Sequence, residues 1–137
     1  MKELYRNLRF IRRVYGKNGC VVHRQVGLAE EILALESEIE ELKEGLAKED
    51  WVNVEEEIGD IIWISLALGI LAEKEGITSL AKILRQSNKK IVFRNPHVFG
   101  KKKSRDIEKV RKIKAEAKAA YKELLKKRSL RKQKKRN

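Results

Sequence analysis

The sequence predicts an all-α fold, a helical bundle of about five helices that ends in a basic C-terminal helix. Apolar residues recur every three or four positions over most of the 137 residues, which is the period of an amphipathic helix. No stretch alternates polar and apolar residues over a useful length, as a half-buried strand would. One proline and eight glycines interrupt the chain rarely, which also favours helices.

The first two predicted helices are separated by a glycine-rich break. A first helix is predicted over residues 2–15, because apolar residues fall there at four-three-four spacing. Two glycines and an asparagine in residues 16–19 end it. A long second helix then runs to about Lys48. Its apolar positions form a seam for packing against another helix, at Leu28, Ile32, Leu35, Ile39, Leu42 and Leu46.

The third predicted helix is the most apolar part of the chain. Asp50 or Asn53 is expected to cap its N-terminus, and Gly76 its C-terminus. An almost uninterrupted apolar run over residues 58–72 predicts that this helix is buried on nearly every side. Asp60 lies within that run. Since a buried carboxylate must be paired, protonated or metal-bound, Asp60 is the strongest functional signal in the sequence.

Two more helices are predicted in the last third of the chain. A fourth begins near Ser79 and cannot continue through Pro96. After a loop over residues 95–103, Ser104 is expected to cap a fifth helix that carries its apolar residues on one side.

The formal net charge of +13 is located almost wholly in the C-terminal segment. Residues 1–100 contain 15 Lys and Arg against 16 Asp and Glu, whereas residues 101–137 contain 18 against 4. The chain is therefore a near-neutral body with a basic appendage. Charge of this density binds polyanions, so residues 101–137 are a candidate nucleic-acid contact.

Composition also bears on the compartment. The single cysteine, Cys20, excludes an internal disulfide and is typical of a reducing compartment. The charged N-terminus lacks the apolar block of a signal peptide. The apolar run around Asp60 is shorter than the ~20 residues that span a bilayer. A soluble, cytoplasmic protein with no membrane partner is expected.

Two acid pairs form a candidate cation site. Glu38 and Glu41 lie three residues apart on the second helix, as Glu57 and Asp60 do on the third, so each pair shares one helix face. If the two helices are antiparallel neighbours, four carboxylates converge. They repel one another unless a cation is present, and all-oxygen ligation favours Mg²⁺ or Mn²⁺. A lysine or arginine partner from elsewhere in the chain is the alternative.

The other acids of the second helix sort by angle. At about 100° per residue, one group lies on the side away from the apolar seam, where solvent is expected. Its members are Glu36, Glu40 and Glu44. Glu31 lies instead on the flank that carries Glu38 and Glu41, next to whatever packs there.

These acid pairs belong to longer motifs. The motifs are EIEE at 38–41, EDWVNVEEEIGDIIW at 49–63 and KKIVFRNPHVFG at 89–100. Together they resemble the MazG family of all-α nucleoside triphosphate pyrophosphohydrolases. The resemblance runs from about Cys20 to Gly100. It implies a helical catalytic domain over residues 1–103, followed by a basic C-terminal helix and tail over residues 104–137.

The resemblance implies Mg²⁺-dependent hydrolysis of nucleoside triphosphates to the monophosphate and pyrophosphate, with Mn²⁺ as an alternative metal. The implied metal ligands, which are also the catalytic residues, are Glu38, Glu41, Glu57 and Asp60. The implied substrate-binding residues are Asn88, Lys90 and Arg94. Members of the family are oligomeric. A homodimer or larger assembly is also expected because the seam and the apolar third helix exceed what a five-helix monomer covers.

Several positions depart from the family pattern. Many relatives carry Cys-Pro-Trp-Asp where this chain has Cys20-Val21-Val22-His23, Ser37 replaces a common Glu, and Val110 replaces a common Trp. The nucleotide preference is therefore left open. The alternatives are a related pyrophosphohydrolase acting on dCTP, dUTP or phosphoribosyl-ATP, and a non-enzymatic helical module that binds nucleic acid through its basic tail.

Overall fold

The protein is all-α, as predicted. A computed structural model describes residues 2–134, with side chains described to residue 130, and this part of the chain contains six helices and no strand. In chain order the helices are α1 (Lys2–Val14), α2 (Leu28–Ala47), α3 (Trp51–Lys74), α4 (Leu80–Arg94), α5 (Pro96–Phe99) and α6 (Ile107–Lys134). None of the described helices is both long and apolar enough to cross a membrane.

The helix that was not predicted is α5, which lies within the segment predicted to be a loop. Pro96 occupies its first turn, where a fixed φ suits the helix and the missing N–H has no intrahelical partner to lose. The amides of Val98 and Phe99 donate to the carbonyl of Asn95, at 2.9 and 3.0 Å. From the sequence, this proline was predicted only to end one helix, whereas it also begins the next.

Residues 1–83 form the first of two compact units. Helices α2 and α3 pack along each other and are joined by a three-residue connection, so they form an antiparallel helical hairpin. Helix α1 packs on α3. The core lies between α1, the second half of α3 and the start of α4, and consists of Ile11, Tyr15, Ala67, Ile70, Leu71 and Leu80.

The prediction that α3 is buried on nearly every side is wrong for this chain by itself. Its buried residues are concentrated between Ile64 and Ala72, whereas Ile58 and Ile62 in the first half are 45% and 47% exposed. Asp60 is exposed as well. The reason is that α1 covers only the second half, so in the first half the side of α3 that faces away from α2 has no neighbour in this unit.

The two tryptophans reflect this difference between the halves of α3. Trp63 is partly buried and packs against the core cluster. Trp51 begins the helix and is 64% exposed. The antiparallel hairpin thus has one end built into the core and one end, near residues 45–60, that is largely open to solvent.

Helix boundaries in this unit follow from local chemistry. Turns occupy residues 21–25, so α2 begins at Leu28, the first apolar residue of its seam. The Gly27 amide donates to Glu30 Oε2 at 3.0 Å. The Asp50 carboxylate accepts from the Asn53 amide at 3.2 Å, so Asp50 is the cap of α3. Gly76 has a φ of +71° just beyond α3, which confirms the predicted glycine at this C-terminus.

Residues 84–137 form the second compact unit, and the boundary falls within α4. Helix α5 packs on α6, and the rings of Phe93 and Tyr121 lie 5.5 Å apart. Asp106 caps α6, since its Oδ1 accepts from the Lys109 amide at 3.0 Å. Ser104 was predicted for this role, but its hydroxyl accepts from the Asp106 amide instead, at 3.1 Å.

Two expectations about the C-terminal segment stay predictions. The division of function at residue 103 concerns which part carries the chemistry, and the compact units do not test it. The last cations of the basic tail, in residues 131–137, lie outside the residues whose side chains the structure describes.

Candidate metal and nucleotide site

A glycine sets the spacing of the hairpin beside the acid pairs. Gly45 is buried on α2, and a Cβ at this position would lie 2.5 Å from the Oδ1 atom of Asn53 on α3. Any side chain there would therefore displace Asn53. The backbones of α2 and α3 approach closely at this end of the hairpin, which brings the acids of the two helices together.

Three of the four predicted ligands converge. Carboxylate oxygens of Glu38, Glu41 and Glu57 all lie within 4.8 Å of one another. Glu57 is only 4% exposed, Glu38 is partly buried and Glu41 is exposed. We refer to these three residues as the carboxylate cluster.

Asp60 lies beside the cluster but is not one of the three converging residues. It is exposed, contrary to the expectation that it is buried, because α1 packs only on the second half of α3 and does not reach residue 60. Its negative charge nevertheless contributes to the raised pKa of Glu38. Its predicted role as a ligand remains a prediction.

Burial and repulsion favour a proton on Glu38. Loss of hydration is the largest cause, followed by a hydrogen bond with Glu57 and by the negative charges of Glu41, Asp60 and Glu57. Together they raise the pKa of Glu38 from 4.5 to about 7. The cluster therefore carries more negative charge than its surroundings stabilise, and a proton or a metal cation relieves the excess.

Two polar side chains hold carboxylates of the cluster in place, each from one helical turn earlier. Asn53 Nδ2 donates to Glu57 Oε1 at 2.8 Å. Ser37 Oγ donates to Glu41 Oε1 at 3.2 Å. From the sequence, Asp50 or Asn53 was predicted to cap α3, and Ser37 was noted only as a departure from a family pattern. The four-residue spacing to a glutamate was the signal that identifies both contacts.

Within residues 2–83, no lysine or arginine neutralises this site. None of the ion pairs of this unit involves the carboxylate cluster or Asp60. Lys43 and Lys48 pair instead with Glu40 and Glu44, at 2.7 and 3.1 Å. These two acids and Glu36 are exposed, which confirms the sorting of the α2 acids by angle.

The remaining acid of the flank, Glu31, has a structural partner. It is 4% exposed, and the Tyr15 hydroxyl donates to its Oε1 at 2.6 Å. Burial and the nearby carboxylate raise the pKa of Tyr15, which keeps the hydroxyl protonated as a donor. Glu31 therefore ties α2 to the end of α1.

The donor set fits a hard divalent cation. Every candidate ligand is a carboxylate, and within residues 2–83 no lysine or arginine pairs with one of them. Carboxylates with room for water are the ligands that Mg²⁺ and Mn²⁺ take in proteins. The cluster can therefore hold such a cation.

The predicted substrate-binding residues lie in the second unit and divide between two cavities. Lys90 and Arg94 of α4 line a cavity of about 150 Å³ together with Lys114 of α6. Asn88 lines a different cavity, of about 480 Å³, beside the aromatic rings of Phe93 and Tyr121. The structure thus brings Lys90 and Arg94 together and separates Asn88 from them. Lys114 was missed because no local spacing relates it to residues on α4.

Comparison with known proteins places these motifs in one family. Residues 28–99 match the MazG nucleotide pyrophosphohydrolase domain. The chain is 30% identical over 96 residues to the uncharacterised protein YabN of Bacillus subtilis (strain 168), covering 70% of this chain but 20% of YabN. The crystal structure of a mazG-related protein from Thermotoga maritima superposes with a TM-score of 0.76 at 31% identity, covering 84% of this chain and 98% of that one.

Proposed function

Because the chain belongs to the MazG nucleotide pyrophosphohydrolase family, we propose that it hydrolyses nucleoside triphosphates to the monophosphate and pyrophosphate, with Mg²⁺ or alternatively Mn²⁺. The observation that supports this most is the convergence of Glu38, Glu41 and Glu57, which have no lysine or arginine partner within residues 2–83. Removal of unwanted nucleotides from the cellular pool is the proposed purpose of the reaction.

The carboxylates of the first unit would bind the metal. The proposed ligands are Glu38, Glu41, Glu57 and Asp60. A bound Mg²⁺ would neutralise phosphate oxygens and orient the attacking water. Asn53 and Ser37 restrict the rotation of Glu57 and Glu41, so that these carboxylates need little rearrangement when the metal arrives.

The basic residues of the second unit would bind the phosphates. Lys90, Arg94 and Lys114 present three cations around one small cavity. Water adds to the α- or the β-phosphorus, the anhydride bond between these two atoms breaks, and the leaving group, pyrophosphate or the nucleoside monophosphate respectively, takes up the negative charge. Donors aimed at this charge stabilise the transition state more than the ground state.

A substrate panel tests the proposal. Pyrophosphate release is measured for canonical and altered nucleoside triphosphates, for dCTP and dUTP, and for phosphoribosyl-ATP, with Mg²⁺ and with EDTA. We expect pyrophosphate release that depends on the metal. The panel also distinguishes hydrolysis of canonical or altered nucleoside triphosphates from the related activities on dCTP, dUTP and phosphoribosyl-ATP. Absence of pyrophosphate release from every compound would contradict an enzymatic function.

A matched pair of variants tests the phosphate-binding residues. Lys114→Ala removes a cation from the cavity and is expected to raise KM for the triphosphate by roughly tenfold, about the effect of one charge-assisted hydrogen bond. Lys118→Ala removes an exposed cation one turn further along α6 and should change KM little. Equal effects of the two substitutions would remove Lys114 from the site.

A homodimer or larger assembly is also proposed. Its support is the exposed apolar surface on α2 and the first half of α3, which includes Ile32, Leu33, Leu46, Ile58 and Ile62. Exposed apolar side chains that form a patch mark protein–protein interfaces in many proteins.

Nucleic-acid binding by residues 101–137 is a second proposal, supported by the many exposed cations along α6. Deletion of residues 126–137 should leave triphosphate hydrolysis near wild type and weaken retention on nucleic acid. Binding by the intact chain should fall steeply between roughly 50 and 200 mM salt. Retention that is unchanged and insensitive to salt would refute this proposal.

A further inference from the structure

A basic cleft of about 740 Å³ lies at the end of the hairpin opposite the carboxylate cluster. It is lined from α1, from the turn that follows α1, and from the last turns of α3. Glu73 on its wall follows Glu57 by 16 residues, which corresponds to about 24 Å along the axis of α3. The cleft is therefore distinct from the proposed metal site.

The charge of this cleft is strongly positive. Its lining has a net charge of +3, because it includes four cations and one carboxylate. The cations are Arg12, Lys17, Arg24 and Lys74, and the carboxylate is Glu73. The carboxylate is already paired, because Glu73 Oε2 lies 2.7 Å from Arg12. Residues 1–100 are nearly neutral as a whole, so the composition of this part of the chain does not account for the concentration of cations.

Hydrogen bonds fix the segment between α1 and α2, which carries two of these cations, Lys17 and Arg24. Arg24 donates to the Lys17 carbonyl at 2.8 Å, and Lys74 donates to the Arg24 carbonyl at 2.9 Å. A carbonyl accepts a hydrogen bond without neutralising the cation, and both side chains keep further N–H donors. The cations are therefore held close together, although like charges repel.

The floor of the cleft is apolar and rigid. Tyr15 and Ile70 line it and are 4% and 7% exposed. Both belong to the core cluster, so their positions are set by packing. An apolar floor with polar groups at its rim, in a volume of ~300–1,000 Å³, is typical of small-molecule sites.

We propose that this cleft binds a phosphorylated small molecule through a row of phosphates, at a second site separate from the carboxylate cluster. A triphosphate group matches the excess of positive charge, and lysine and arginine are the residues that bind phosphate oxygens. Inorganic triphosphate and a nucleoside triphosphate share this chemistry. The apolar floor offers a contact surface that only the nucleoside triphosphate would use.

Nuclear magnetic resonance on the full chain tests the proposal with inorganic triphosphate and ATP as probes. EDTA is present throughout, so that no divalent metal links the probes to the carboxylate cluster. We expect saturable shifts of the Gly16 and Gly19 amides in the turn, with the Gly45 and Gly59 amides unchanged. Because the readout is local, phosphate binding elsewhere on the chain is not mistaken for it.

Two substitutions of equal charge change complete the test. Lys17→Glu inverts a cation of the cleft whose side chain makes no hydrogen bond to a described residue, and should weaken binding at least tenfold. Arg9→Glu makes the same change on α1 outside the cleft and should weaken it less than twofold. Lys74→Gln gives a second measurement in case the first variant does not fold, with severalfold weaker binding expected.

The proposal is overturned if the turn amides show no saturable shift, or if Lys17→Glu and Arg9→Glu weaken binding equally, since general charge attraction would then suffice. Unchanged binding by Lys74→Gln also overturns it. Tighter binding of ATP than of inorganic triphosphate identifies a nucleotide site, and equal or weaker binding of ATP identifies a site for the phosphates alone.

Discussion

At the scale of single residues, the carboxylate cluster is pre-oriented by neighbours one helical turn away. Asn53 holds Glu57, and Ser37 holds Glu41. Both contacts follow the i,i+4 geometry of a helix, so the secondary structure that forms the two acid pairs also positions two of their carboxylates. The Asp60 side chain makes no hydrogen bond to another side chain in the described part of the chain. Because it is exposed, it is free to turn toward a metal.

Replacing Asp60 by Asn is expected to lower pyrophosphate release at least ~100-fold, because removing a proposed ligand should cost no less than disturbing a ligand's hydrogen-bond partner. The free energy of unfolding without metal should change by less than about 0.5 kcal/mol, because the side chain is exposed. Glu40→Gln, which loses only an exposed ion pair with Lys43, is the control and should be nearly silent. Full activity of the Asp60 variant would refute its assignment as a ligand.

The raised pKa of Glu38 predicts how the stability of the metal-free protein depends on pH. The pKa is about 7 in the folded protein and 4.5 for the ordinary group, so between these values the folded chain holds more protons than the unfolded chain. Stability should therefore fall as pH rises from about 4.5 to about 7. Thermal melting in EDTA measures this, and Glu38→Gln should flatten the dependence. The assignment would be contradicted if the melting temperature of the wild-type protein rose over this window and that of Glu38→Gln rose with the same slope.

At the scale of elements, the α2–α3 hairpin determines whether the site exists. Its two helices approach closely because Gly45 has no side chain, and this approach places Asn53 where it can hold Glu57. A change in the distance between the two helices would therefore also change the orientation of the Asn53 amide and the position of Glu57.

Gly45→Ala tests this coupling. The new Cβ would lie 2.5 Å from Asn53 Oδ1, so we expect a loss of about 1–3 kcal/mol in the free energy of unfolding and a ~10–100-fold loss of pyrophosphate release. Gly59→Ala on α3 is the matched control, because a Cβ there meets nothing within 4 Å and gains up to ~1 kcal/mol of helix propensity. Urea denaturation and an activity assay measure both variants, and wild-type behaviour of Gly45→Ala would show that Asn53 can move without consequence.

Sequence reasoning was most successful where one helix decides the outcome. The 3.6-residue period gave the long helices, and angular sorting separated Glu38 and Glu41 from the outward acids. It was wrong about the burial of Asp60, because hydrophobic periodicity does not reveal which half of α3 a neighbouring helix covers, whereas the role of Asp60 as a ligand stays a prediction. It could not identify Lys114, which lies on α6, 20 residues after Arg94. The cavity that Lys114 shares with Lys90 and Arg94 joins α4 to α6, and no local spacing reveals this. The Asp106 cap was missed because Ser104 and Asp106 are equally good capping residues and only geometry distinguishes them.

At the scale of the whole molecule, the exposed apolar surface predicts assembly. Light scattering at micromolar concentration should give at least twice the 16.0 kDa of one chain. Ile62→Glu, in the exposed half of α3, should shift the protein toward a monomer because a charge at an apolar interface is not solvated. Val21→Glu, on an exposed turn, is the control. A wild-type protein that is purely monomeric would refute the proposed dimer.

The placement of the two tryptophans makes α3 a helix with a separate optical reporter in each half. Trp63 packs on the core and should emit at shorter wavelength, shielded from an aqueous quencher such as iodide. Trp51 is exposed at the start of the same helix, six residues before Glu57, and should account for most of the quenchable emission. Fluorescence can therefore separate an event at the open end of the hairpin, such as metal binding or assembly, from loss of the core, without any label.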